Sequence, residues 1–307
     1  MSRIILKLIA GLGLAATVCA AQTLPAKWED LTSADFAKAI QQSGGVCLLP
    51  MGSVEKWGPS GPLGTDLYLV RLISTEAVKK EYAVVFPPYF TAGTNDMSAM
   101  PGAIYLSPRL QYDLLDETTR EMARNGCRKI LLVNGSSGNN ALITLFMAGF
   151  AAAPHDYAIY SIYGNGIGPN TMEGTRVAAA EASKPGVDGH GGEDRISAIL
   201  AYYPDLVHLD RAHDEPGSNG PPHPGDAPAA APAPRPQTGQ TVQGIMNKLP
   251  SGYSGDASGA TAARGKALVA NGVEALVKAI QDVKADNATL KVEKQFYEQR
   301  ESPDAAK

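Results

Sequence analysis

The chain has 307 residues, 44% of them apolar and 19% charged, a length that suits one large α/β domain or two of ~150 residues with a buried core. That composition excludes a collagen, a disulfide-dense miniprotein, a coiled coil and a wholly disordered chain. A net charge of −4 leaves no electrostatic footprint for nucleic acid or an anionic membrane surface, and five histidines are few for a histidine-rich metal centre.

Residues 1–21 read as a signal peptide. Arg3 and Lys7 form a positive start, Leu8 to Val18 an apolar run, and Val18-Cys19-Ala20 or Cys19-Ala20-Ala21 a small-residue cleavage site. The run is shorter than the ~20 apolar residues of a membrane span. We therefore expect a periplasmic or secreted protein, free of the membrane after cleavage. Cys47 and Cys127 then remain, both near the starts of predicted strands. Export permits a disulfide between them, but sequence does not set their separation, and two independently buried thiols are the expectation.

Short apolar runs alternate with helical patterns from residue 30 to 210. Ser33 is placed to cap a helix through Gln42, which Gly44-Gly45 ends. Strands are predicted at Val46 to Pro50, Ala83 to Phe86, Lys129 to Val133 and Tyr157 to Ile162. Between them lie helices from residue 67, over 108–125 and over 139–152, the last almost wholly apolar and so expected in the interior. A further helix is predicted over 193–202. Continuous apolar strands separated by helices indicate a single-domain α/β fold, a parallel sheet covered by helices on both faces, over 27–286. Residues 214–240 are rich in Pro, Ala and Gly and read as an insertion. An amphipathic helix follows from Ala260 to Val283, and residues 287–307 read as a flexible tail.

Ligands of such sheets bind outside the carboxyl ends of the strands, and three segments there carry chemistry. The first runs from Leu49-Pro50-Met51-Gly52-Ser53-Val54-Glu55-Lys56-Trp57-Gly58-Pro59 to Pro62-Leu63-Gly64-Thr65-Asp66. The second is Val133-Asn134-Gly135-Ser136-Ser137-Gly138-Asn139. The third is Asp188-Gly189-His190-Gly191-Gly192-Glu193-Asp194-Arg195-Ile196-Ser197.

In this order the segments resemble the creatininase (creatinine amidohydrolase) family, over about residues 44–285. The resemblance implies a parallel α/β sheet and an amidohydrolase acting on C–N bonds of cyclic amides or formamides. It further implies small-molecule substrates, a homo-oligomer, and two divalent metals that polarise a carbonyl and activate water. Glu55 and Asp66 stand at carboxylate-ligand positions. Trp57 and Ser136 stand where the pattern has histidine ligands, Ser60 and Met97 replace further histidines, and Arg195 replaces a glutamate. Of the motif histidines only His190 remains, with Glu193.

Three readings follow. In the first, Glu55, Asp66 and Glu193 hold a divalent metal (Mn, Mg or Zn, in an oxygen-rich shell), and His190 is the acid or base. Trp57, Asp96, Asn134 and Asn139 then contact the substrate. Asp66 could instead cap the helix from residue 67. In the second reading the metal is gone and Ser136 or Ser137 is a nucleophile with His190 as base. In the third, a catalytically silent relative binds a small ligand without metal in a pocket made apolar by a buried Trp57, Tyr105 and Met97.

Overall fold

A computed structural model describes residues 24–163, 189–215, 217, 242 and 249–302. The predicted signal peptide and most of the 214–240 insertion lie outside the described residues. Four strands, β1 (Val46–Met51), β2 (Val84–Val85), β3 (Lys129–Asn134) and β4 (Ala158–Tyr163), form one sheet in the order β2-β1-β3-β4. All pairings are parallel, and β1 and β3 run in register from Val46 opposite Lys129 to Met51 opposite Asn134. The α/β fold expected from the alternating pattern is the one observed.

The strands are apolar throughout because both faces are covered. Val46, Leu48, Leu131 and Val133 pack on one side against α2 (Thr65–Ala77), α5 (Glu193–Tyr202) and α6 (Ala262–Ala285). The alternate residues Cys47, Leu49, Ile130 and Leu132 face α3 (Pro108–Arg124), α4 (Asn140–Phe150) and Ala39 of α1 (Ser33–Gln42). Gly265 lets α6 lie against α5, since a Cβ there would stand 1.9 Å from the Ser197 carbonyl oxygen. Among the described residues no helix is long and apolar enough to cross a membrane.

Four expectations need correction. Cys47 and Cys127 form a disulfide, their Cα atoms 5.7 Å apart, because the loop entering β3 comes alongside the start of β1. The cap of α1 is Thr32 rather than Ser33: its hydroxyl accepts the Asp35 N–H at 3.2 Å. Helix α4 is interior only along Leu142, Ile143, Phe146 and Phe150, and Leu145 on its other face is 62% exposed. The predicted tail contains α7 (Thr289–Glu301), with no buried residue. Its first turn is fixed by Asp286, which accepts the N–H groups of Ala288 and Thr289.

Candidate active site

The site lies at the carboxyl edge of β1 and β3. Beyond Met51 the chain turns through Gly52, where a Cβ would come within 2.5 Å of the Leu67 Cα, so only glycine lets α2 start this close to the strand. Helix α2 begins at Thr65 with Gly64 at its cap position, so Asp66 is not the cap. Asp66 instead lies in the first turn, almost wholly buried, and faces the loop after β1.

Glu55 and Asp66 converge on one hydroxyl. Ser53 Oγ is 3.0 Å from Glu55 Oε1 and 3.1 Å from Asp66 Oδ2. A hydroxyl has a single hydrogen to donate, so both contacts are hydrogen bonds only when one carboxyl carries a proton and donates to Ser53. Burial, and then the Asp66 charge, push Glu55 up to about 8, and Asp96 adds to the effect. Burial also raises Asp66, while Arg195 and the Ser53 and Ser136 hydroxyls pull the other way. Both carboxyls are thus pushed towards the protonated form, and the pair holds a proton between them.

Arg195, in the first turn of α5, supplies the positive charge. Its Nη1 is 3.4 Å from Asp66 Oδ1, and its guanidinium carbon lies 5.5 Å from the centre of the Trp57 ring. On Trp57, which is 4% exposed, His190 also stacks, the ring centres 4.0 Å apart. His190 Nε2 is 2.7 Å from the Lys56 carbonyl oxygen. A carbonyl only accepts, so this nitrogen carries a hydrogen and is closed to a metal or a substrate proton. Among the described residues Trp57 Nε1 and Asn139 Oδ1 are buried without a hydrogen-bond partner, and Asp66 Oδ1 and Arg195 Nη1 meet only as an ion pair, an arrangement that favours a ligand or water able to bond to them.

The remaining predicted residues are distributed unevenly. Asn134 orders the β3–α4 turn: its Oδ1 accepts the Ser136 N–H at 3.1 Å and the Asn139 amide at 3.3 Å, and its Nδ2 donates to Asn140. Ser136 is buried, and its hydroxyl is among the groups that pull Asp66 down. Met97 is buried, whereas Tyr105 is 41% exposed. The Glu193 side chain lies beside Gly259, where a Cβ would be 3.2 Å from Oε1. Sequence reasoning left Ser53 and Arg195 out of the site. The signal for Arg195 was present, a cation at a position where the motif has an acid.

A model of the creatininase family, described as creatinine amidohydrolase, matches residues 29–280. The chain belongs to the creatininase family. Creatinine amidohydrolase of Pseudomonas putida is 27% identical over 233 residues, covering 67% of this chain and 83% of that protein. Mycofactocin precursor peptide peptidase of Mycolicibacterium smegmatis is 27% identical over 251 residues, covering 80% and 88%. A crystal structure of creatininase superposes with a TM-score of 0.64 at 21% identity, over 86% of this chain and all of that one, a likeness of fold. Solved creatininases include a manganese form and a Zn-Zn type.

The donor set here does not fit such a centre. Among the described residues no group of three or more His, Cys, Asp or Glu side chains is arranged to hold a metal ion. The predicted trio Glu55, Asp66 and Glu193 forms no such group, and the Glu193 carboxylate lies beside Gly259. Trp57 supplies no ligand atom, and Arg195 places a cation against the Asp66 oxygen that a metal would need.

Proposed function

We propose that this creatininase-family protein is an amidohydrolase that cleaves an amide-type C–N bond of a small molecule at the carboxyl edge of β1 and β3. The observation that carries the reading is the buried pair Glu55 and Asp66 joined through Ser53, one carboxyl protonated and the other ionised. Such a pair supplies an acid and a base in one place. Asp66 takes a proton from the attacking water, and Glu55 returns one to the departing nitrogen. The substrate carbonyl oxygen accepts from Trp57 Nε1 and Arg195 Nη1, buried donors that make no hydrogen bond among the described residues. The named relatives support hydrolysis as the reaction class.

A second reading, ligand binding without turnover, is favoured by one observation: Trp57 is buried where the motif has a histidine. Purified protein assayed for amine or ammonia release from a panel of cyclic amides, formamides and short peptides separates the two. We expect turnover that falls by at least ~100-fold in Glu55→Gln and in Asp66→Asn. Ligand-induced stabilisation with no product from any panel member would instead support binding alone. We further propose export to the periplasm or medium, supported by the leader pattern and by the Cys47–Cys127 bond. Recovery of the chain solely from the cytoplasm, with residues 1–21 retained, would overturn it.

A further inference from the structure

We infer that the cation of this site is built into the chain: the Arg195 guanidinium, seated between the Asp66 carboxylate and the Trp57 indole, does the electrostatic work of a divalent ion and excludes one. The inference deepens the proposed amidohydrolase reading but rests on geometry independent of turnover.

Three observations converge. Arg195 Nη1 faces Asp66 Oδ1 at 3.4 Å, and the two side chains are only 14% and 2% exposed, so this is a buried ion pair rather than a surface one. The guanidinium lies over the Trp57 ring, whose other ring neighbour is His190, so an aromatic–cation stack occupies space that metal ligands would require. The neighbouring basic side chains are committed elsewhere: Lys56 pairs with Glu215, and Arg264 pairs with Asp194. Arg195 is thus the ion-paired cation of the Glu55–Asp66 pair among the described contacts. A dication brought to Asp66 would meet a fixed positive charge and too few ligands.

The test uses the full mature chain. Calorimetric titration with manganese or zinc chloride is expected to show no saturable binding below millimolar concentration, and EDTA is expected to leave Tm unchanged. Stoichiometric binding that Asp66→Asn abolishes would overturn the inference. In Arg195→Ala the buried carboxylate loses its partner, so Tm should fall by at least ~5 °C. Millimolar guanidinium chloride should then recover part of that loss, where equal sodium chloride does not. An unchanged Tm in Arg195→Ala, or recovery by both salts alike, would overturn it. If Arg195→Ala does not fold, Arg195→Lys, which keeps charge but loses the planar fork, should show an intermediate Tm and still no metal binding. None of these readouts depends on product formation. A failed amide panel with these outcomes would sink the catalytic reading and leave the resident cation standing.

Discussion

Ser53 is a small residue of the site and the one on which its protonation turns. Its hydroxyl is buried between two carboxyl oxygens. Replacing it with alanine removes both hydrogen bonds and leaves their partners inside the fold, a loss of about 1–3 kcal/mol. Ser53→Ala should therefore unfold at lower denaturant concentration with the same slope, while Ser137→Ala, an exposed hydroxyl nearby, should not. Glu55 and Asp66 were singled out in the sequence, as metal ligands, from motif position alone. Ser53 and Arg195 were not, because their importance lies in what they face across the pocket. His190 is a different case. Its isolation among the motif histidines singled it out, yet its Nε2 is held by the Lys56 carbonyl.

At the scale of elements, the strands were readable because a parallel strand buried on both faces is apolar without interruption. Helix α4 misled for the same reason: apolar residues all round suggest burial on every side, while Leu145 and Met147 are left exposed. Helix α7 gave no apolar stripe to find, since it buries no residue. Its start depends on Asp286, whose Oδ1 accepts two backbone N–H groups and whose Oδ2 accepts the Tyr160 hydroxyl at 2.7 Å. Those bonds favour the charged form and hold Asp286 well below the usual carboxylate range, with Thr289 contributing most. A depressed folded value means that the stabilisation is fully present above ~4, the unfolded value, and is lost as pH falls towards the folded one. Asp286→Asn should accordingly melt below the parent at pH 7, and the gap should close progressively below pH ~4. A gap independent of pH would refute this account.

For the whole molecule, the fold class, the strand order's parallel sense and the family were all available from residue pattern and motif. The disulfide was not, because pairing requires knowing that the loop before β3 lies beside β1. Cys47 and Cys127 are 80 residues apart in sequence, a long loop whose closure restricts the unfolded chain. Removing such a bond typically costs about 2–5 kcal/mol, so the Cys47→Ala, Cys127→Ala protein should melt roughly 5–15 °C below the oxidised parent. Differential scanning calorimetry with and without reductant provides the check, and identical melts would show the bond to be energetically idle.

The position of that bond has a further consequence. It fastens the amino ends of β1 and the β3 entry loop, whereas Ser53, Glu55, Trp57 and Ser136 follow the carboxyl ends. The clamp and the chemistry thus occupy opposite edges of one sheet. A scaffold anchored in this way can tolerate experiment in its pocket: a lineage can exchange ligands for an indole, a hydroxyl and a guanidinium without loosening the frame that presents them. The same separation makes positions 57, 136 and 195 a natural starting library for directing the pocket towards new small-molecule substrates.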